Sequence, residues 1–421
     1  MKVTLINTSD TGGGAPVACL RLLKALDEQK IDAQLLVQEK KTSENRVHSV
    51  VKNFSSRLKA RFDFFYERLP FMFFHEKDKS VRFAFSTANA GVSIKNEPLV
   101  KQADIIHLHW TNSGFLSIDD LKELIDTGKP IVWTLHDMWT FTGGCHYAGT
   151  CDHFTGECGD CYFLSDPGEN DISRKGWLHK AAMYAGAENV TFVTCSQWLG
   201  TVAKRSSLIS KFRIESIPNP IDVNLFSPTD KTTAKERWRI NPFAKVIAFG
   251  AANINDRRKG ITYLVDALTD LYSLCPDAGL IEIVIFGKNK HFDASQLPFR
   301  VYELGPISVQ EELVEIYNLA DVFVMPSVED NLPNTVMEAL ACGTPVVAFN
   351  TGGVPEMIDH QQNGYLAEYK SAGDLAKGLY EILHSDKTEE LSLNARNKVL
   401  NTFTNKAVAQ QYHKLYKSIL K

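Results

Sequence analysis

Short apolar runs closed by glycine, proline or an acid alternate along this chain with segments whose apolar residues recur at helical spacing. The runs Val3–Ile6, Ala33–Val37, Asp104–Trp110, Ile131–Asp137, Val190–Cys195 and Phe212–Ile217 read as strands in the first half. Val246–Gly250, Ile281–Gly287, Val301–Leu304, Asp321–Pro326 and Pro345–Phe349 read as strands in the second. Helical spacing covers Val17–Leu26, Arg174–Ala187, Ile261–Leu271, Glu311–Leu319 and Asn405–Leu420. Asn334 or Thr335 is expected to cap a short helix running through Ala341, with Gly343 in the left-handed position that ends it, and Pro355 is expected in the first turn of another helix. After Tyr365 the pattern reads as helical to the end. Strands bracketed by helices predict an α/β protein with parallel sheets, whose ligands bind at the carboxyl ends of the strands. Prolines 218, 220 and 228 mark a linker, dividing the chain into 1–217 and 218–402, with a last helical stretch at 403–421.

The 421 residues suffice for two such domains, and 44% hydrophobic content fills a core in each. A net charge of −4 argues against a nucleic-acid partner. No apolar run reaches membrane-spanning length, and the opening strand leads straight into a Gly-rich loop with no signal-peptide pattern, so a cytoplasmic protein is expected. Residues 52–79 interleave Arg57, Lys59, Arg61 and Arg68 with nine aromatic or large apolar side chains from Phe62 to Phe74. Such a segment either packs on its domain or lies in the interface of the inner membrane face, a peripheral contact with anionic lipid.

Candidate chemistry gathers at predicted strand ends. The loop Ser9–Pro16 contains Gly13 and Gly14 and opens a helix. Bare amides there suit an anion, although a tight turn needs glycine too. His109 with Trp110, and His136 with Asp137, close two strands; a buried structural histidine is the plain alternative for His136. Asp256-Arg257-Arg258-Lys259-Gly260 sets cations before a helix, which is either a diphosphate site or a solvated charge run. Asp330 and Glu338 can face one crevice and accept hydrogen bonds from vicinal hydroxyls. Alternatively Thr335–Glu338 is a capping box. Four of the eight cysteines, Cys145, Cys151, Cys158 and Cys161, fall within the long loop 140–171. Four reduced thiols at this density predict a closed, structural zinc site that staples the loop; the alternative is a set of unligated small residues.

The stretch Ser327–Ile358 resembles the signature of retaining glycosyltransferases of family 4 (GT4). That signature has two acids separated by seven residues and then Ala-(Leu/Met)-Ala-x-Gly-x-Pro-Val-(Val/Ile), followed here by Gly-Gly-Val-Pro-Glu. Asp330 stands where the first acid is usually Glu. Trp139–Tyr147, reading Trp-Thr-Phe-Thr-Gly-Gly-Cys-His-Tyr, resembles the branch of colanic-acid-type exopolysaccharide transferases. The resemblance implies a GT-B fold, two facing Rossmann-like domains with the active site in the interdomain cleft, and a last helix crossing back to the first domain. It implies a nucleoside diphosphate sugar (UDP- or GDP-) as donor, with Gly13 and Gly14 facing its phosphates. Arg258 and Lys259 would hold the leaving diphosphate, although the usual Gly-Arg-Leu is missing and Arg257 competes for the role. Ile307 would read the base through main chain, and Glu338 would orient the ribose. Asp330, with Asn331 and Leu332 in its loop, would hold the hexose. His136 would lie near the reacting centre, and His109 and Trp110 on the acceptor side. The implied reaction moves a hexose-type sugar, with retention, to a lipid-linked or polysaccharide-precursor glycan acceptor, without a catalytic metal. Two rivals stand beside it: a nucleotide-sugar epimerase or hydrolase on the same fold, and a non-catalytic, zinc-stapled glycan-binding protein.

Overall fold

The computed structural model describes residues 1–420 and divides into two units, 1–219 with the chain from 408 onward, and 220–407. The linker crossing falls two residues beyond the expected boundary, and the return comes at 408 rather than 403. Pairing of Ile221 with Thr404, and an Ile221 amide bond to the Phe403 carbonyl, hold those residues in the second unit.

The first unit contains β1 (Lys2–Ser9), α1 (Gly14–Glu28), β2 (Asp32–Glu39), β3 (Val47–Ser49), α2 (Phe54–Pro70), α3 (Pro98–Gln102), β4 (Ile105–Leu108), α4 (Ile118–Ile125), β5 (Ile131–Leu135), α5 (Ile172–Tyr184), β6 (Val190–Thr194), α6 (Gln197–Ala203) and β7 (Arg213–Ser216). Its seven strands are all parallel, in the order β3-β2-β1-β4-β5-β6-β7. The second unit contains α7 (Lys231–Arg237), β8 (Lys245–Asn253), α8 (Ile261–Leu274), β9 (Ile281–Lys288), β10 (Arg300–Gly305), α9 (Gln310–Leu319), β11 (Val322–Met325), α10 (Asn334–Ala341), β12 (Val346–Phe349), β13 (Gly364–Ala367), α11 (Ala372–Leu383) and α12 (Thr388–Thr402). Its parallel order is β10-β9-β8-β11-β12-β13. The last helix, α13 (Asn405–Ile419), puts Val408, Ala409, Tyr412 and Tyr416 into the core beneath β1, β2 and β4 of the first unit.

The central strands are buried on both faces, β4, β5, β6, β11 and β12 without exception, because helices cover each side of a parallel sheet. In both sheets the strand order reverses beside the first strand, between β1 and β4 and between β8 and β11. A crevice at the carboxyl ends follows from that reversal. Two strands run where none was expected. β3 is three residues long, and β13 sits inside the stretch that reads as helical. Gly364 opens β13 because any Cβ there would stand 2.1 Å from the Val346 carbonyl oxygen. Around Pro355 the chain makes only a 3-10 turn, Val354–Glu356, rather than a helix.

Helix α2 is inside out. Asn53 and Ser56 cap it reciprocally, and its two buried residues are Asp63 and Glu67, 6% and 2% exposed. The Asp63 carboxylate takes Lys59 Nζ at 2.5 Å, and Glu67 accepts from the amides of Ala88 and Gly114. Burial pushes the Glu67 carboxyl upward, partly offset by Arg68. Gly114 permits the approach, since a Cβ there would meet Phe64 N at 2.4 Å. The helix is therefore docked by carboxylates and backbone, and its aromatic face points to solvent.

Candidate functional site

The carboxyl edge of the first sheet starts with the loop after β1. Gly12 and Gly13 have φ of 80° and 93°, and the space a Cβ would occupy at either is open to at least 4 Å. No side chain caps α1, so its first amides face that space.

Next to it, β4 and β5 deliver a chain of rings. His107 is clasped on both nitrogens, by Tyr416 OH at 2.7 Å and Thr134 Oγ1 at 2.8 Å, with Tyr412 OH 2.9 Å from the same threonine. His109 Nδ1 and His136 Nε2 share a hydrogen at 3.0 Å. Burial drives His107 down to about 3 and His136 to about 4, the latter against the pull of Asp137. Burial and its two imidazole neighbours push His109 well below its ordinary value. The three imidazoles are neutral at physiological pH. Asp137 collects the remaining donors: Trp110 Nε1 at 3.0 Å and His146 Nδ1 at 2.7 Å on Oδ2, and the Trp139 amide at 2.8 Å on Oδ1. Burial would raise its carboxyl, but the electrostatic pull and hydrogen bond of His146 and the bond from the Trp139 amide hold it below the usual range. His146 continues to Ser86 Oγ at 2.9 Å. A small recess is lined by His109, Trp110, Asn112, His136, Asp137 and Thr140. Three buried polar atoms of that lining, His109 Nε2, Asn112 Nδ2 and Thr140 Oγ1, have no protein partner. Such a surface fits hydroxyl groups.

The second sheet carries charge at the same place. Residues Arg257–Lys259 form a 3-10 turn after β8, capped by Asp256. Gly260 follows at φ 69°, where a Cβ would lie 1.9 Å from the Pro326 carbonyl oxygen. This contact, with the Val328 amide on the Arg258 carbonyl at 2.8 Å, clamps the β8 loop to the loop after β11. Lys259 Nζ consequently reaches Asp330 Oδ2 at 2.6 Å. The Arg258 guanidinium instead folds back on Asp256, at 2.7 and 3.2 Å. Burial alone would raise the Asp256 carboxyl, but the Arg258 charge and hydrogen bonds bring it below its ordinary value. Gly352, at φ 56°, passes so close that a Cβ would be 1.9 Å from the Asp330 carbonyl oxygen, and the Gly353 amide bonds that oxygen at 3.2 Å. The paired glycines thus fix the Asp330 loop.

Helix α10 starts two residues earlier than a Thr335 cap requires. Its N-cap is Pro333, with no side-chain cap bond. Glu338 therefore lies beyond the first turn and forms no capping box. It is buried and accepts from Tyr317 OH at 2.7 Å. Asn331 and Leu332 are buried, while Ile307 is half-buried in the loop after β10. The structure brings His109, Trp110 and His136 into one cluster and pairs Lys259 with Asp330. Arg258 pairs with Asp256, and Glu338 accepts from Tyr317.

A sequence model described as Glycosyltransferase Family 4 matches residues 12–225, just over half of the chain. The chain belongs to that family. A second model, Glycosyl transferases group 1, matches residues 244–385 of this family 4 protein. The chain is 28% identical over 304 residues to a D-inositol 3-phosphate glycosyltransferase of Pseudarthrobacter chlorophenolicus, covering 69% of this chain and 64% of that protein, a little under two thirds of the relative's length. It is 25% identical over 271 residues to a putative colanic acid biosynthesis glycosyl transferase, WcaC, of Escherichia coli, covering 62% of each. Among solved structures, Anabaena HepE in complex with UDP superposes with a TM-score of 0.66 at 17% identity, over 99% of this chain and 100% of that one. With the two parallel sheets, this likeness gives the family 4 chain a GT-B fold.

Several residues of these edges had no local signal. Tyr412 and Tyr416 hold the His107 end from a helix some 300 residues away in sequence, Tyr416 at a separation of 309. Asp256, Tyr317 and His146 each occupy a partner that sequence reading leaves open.

Proposed function

We propose that this chain transfers a hexose-type sugar from a nucleoside diphosphate sugar to a glycan or lipid-linked acceptor of cell-surface or exopolysaccharide synthesis, with retention at the anomeric carbon. The observation that carries this reading is the Lys259–Asp330 pair at the carboxyl edge of the second sheet. A cation and an acid within 2.6 Å of each other offer a diphosphate and a sugar hydroxyl adjacent partners. The C1–O bond to the β-phosphate breaks as the acceptor oxygen bonds C1 on the same face. The acceptor proton passes to the leaving phosphate oxygen. Lys259, and Arg258 once released from Asp256, balance the charge that develops there. Glu338 holds the ribose, and the Asp330 loop holds the hexose. On the first sheet, the recess of His109, Trp110 and His136 takes acceptor hydroxyls. The UDP complex of HepE and the colanic acid relative support a UDP-sugar and an exopolysaccharide-type acceptor.

The acceptor side also involves a lipid surface. Among the described residues no helix is long and apolar enough to cross a membrane. Yet α2 and the turn after it expose Phe54, Phe62, Phe65 and Phe73 by 78, 63, 66 and 73%, in one stripe with Leu58 and Leu69. Arg57, Lys59 and Arg61 are exposed on the same helix, Arg57 paired with Glu39 and Lys59 with Asp63, while Arg68 is half-buried against Ser113. An apolar stripe with cations on the same helix fits an anionic bilayer surface.

Transfer is tested by incubating the protein with UDP- and GDP-hexoses, with and without a polyprenyl diphosphate-linked glycan. Retained anomeric configuration in a glycosylated lipid supports the reading. Sugar release or epimerisation without acceptor points to the hydrolase or epimerase reading, and no turnover or binding points to a glycan-binding protein. Co-sedimentation with phosphatidylglycerol vesicles, abolished in a Phe62→Asp/Phe65→Asp variant, tests the surface contact.

A further inference from the structure

Loop 140–171 stands out from the rest of the first unit. Apart from 3-10 turns at Trp139–Phe141 and His153–Thr155 it has no regular structure, yet much of it is buried. Cys145, Cys151, Cys158 and Cys161 all line one recess within it, beside Gly143 and Ser173, and all four are free thiols. Amides already point at two of the sulfurs. Gly143 N–H donates to Cys158 Sγ at 3.1 Å, and Phe163, two residues after Cys161, donates its amide to that sulfur. A neutral thiol is a weak acceptor, and amides aimed at sulfur are the outer support of metal-bound thiolates. Lys180 Nζ, buried and held by the carbonyls of Trp139 and Thr142, lies within electrostatic reach of Cys145 and Cys158. A four-thiolate zinc centre carries two net negative charges, and the metal-loaded site would itself favour the protonated lysine that offsets them.

We propose that these four cysteines bind one zinc ion as a closed, structural site. Zinc–sulfur bonds of about 2.3 Å in a tetrahedron put the sulfurs about 3.8 Å apart. Among the described residues, the trio of ligand atoms already mutually within 4.8 Å is a different one, Cys275, Asp277 and His384. Binding therefore draws the loop sulfurs inward. The rival trio is committed otherwise, since Asp277 pairs with both Lys245 and His384. His153 also lines the recess, with Nδ1 on the Gly159 carbonyl at 2.8 Å, and is left outside the ligand set. The site offers no open position for chemistry. It fixes the segment that holds His146 against Asp137 and joins Cys145 to Phe85. The inference is independent of the reaction proposed above.

The full chain, purified under reducing conditions without added metal or chelator, is assayed for bound zinc and iron and for titratable thiols. We expect about one zinc per chain, retained in Cys275→Ser and His153→Ala and lost in Cys158→Ser/Cys161→Ser. Should that double variant fail to fold, a high-affinity chelator acting on the wild-type chain makes the same point: four thiols become titratable, and proteolysis begins within 140–171. Less than about a tenth of an equivalent of zinc, disulfides among the four, iron in place of zinc, or zinc that leaves with Cys275 or His153 would each overturn the proposal.

Discussion

The two sheets place their functional edges at equivalent positions, beside the first strand where the order reverses, and equip them oppositely. The first edge is a run of imidazoles buried until they lose their charge, closed by tyrosine hydroxyls and one heavily hydrogen-bonded aspartate. The second is a set of half-exposed ion pairs on short loops. Burial strips charge from a basic group and leaves a hydrogen-bonding surface. Partial exposure keeps charge available to an anion. One topology thus carries two kinds of surface. The difference is set by how deeply the strand-end residues sit, and not by the fold.

Lys259→Ala is the largest expected blow to the charged edge. Loss of one preorganised charge at a developing anion costs about 100- to 1,000-fold in turnover. The pair is 29 and 13% exposed, so its own contribution to stability stays within about 1 kcal/mol and the melting temperature changes little. Normal turnover in a folded Lys259→Ala protein would remove the leaving-group argument and, with it, the contrast between the edges. The corresponding His136→Asn change, on the neutral edge, should lower turnover by a smaller factor.

Acid should separate the edges next. A histidine whose folded pKa is depressed binds its proton more readily when unfolded, so stability is lost as pH falls from the unfolded value near 6.5. For His136 the loss runs down to about 4 and for His107 to about 3. Between pH 6.5 and 4.5 each costs on the order of 2–3 kcal/mol. His109 adds to this in the same direction. The groups around them are Tyr412, Tyr416, Thr134, Cys195, Asp137 and His146, and Asp137 retains its charge over that window because its own pKa is lowered. In the second unit the lowered Asp256 carboxyl withdraws its support only below the ordinary carboxylate pKa. Hydrogen exchange read by mass spectrometry at pH 4.5 should therefore show strands β4 and β5 opening before β8. Simultaneous opening would mean that the imidazoles are not held neutral by their burial.

What sequence made legible follows the same division. Strands buried on both faces announce themselves as apolar runs, and the glycines and acids of strand ends follow them directly, so the sheet layout could be read; the roles given to His136, Lys259 and Glu338 came from the family resemblance. Partners set by distant contacts could not. Asp256 is two residues from Arg258, and the sequence showed a charge run without showing that one guanidinium turns back onto it. The Thr335–Glu338 pattern satisfied a capping box, but Pro333 takes the N-cap position and moves Glu338 out of register. In residues 52–79 the aromatic and basic residues were plain. Which face they occupied depended on Asp63 and Glu67 meeting the backbone of another loop. β13 hid because four residues opening on glycine carry too little pattern to outweigh the helical stretch that follows.

The smallest effect tests whether Glu338 belongs to the ligand or to the core. Tyr317 OH donates to Oε2 from within the second unit. Tyr317→Phe removes a buried hydrogen bond worth about 1–2 kcal/mol, and a purely structural role would register only as that loss of stability. If the tyrosine also orients the carboxylate for the donor, the donor KM rises several-fold while kcat holds, the pattern of binding lost equally from ground and transition states. Glu338→Gln keeps an acceptor for Tyr317 and a shape for α10 but weakens the hold on ribose hydroxyls, so it should shift KM in the same direction with little change in melting temperature. A Tyr317→Phe protein that melts earlier yet binds UDP-sugar with unchanged affinity would assign Glu338 to the core. The charged edge would then consist of Lys259, Asp330 and Arg258 alone.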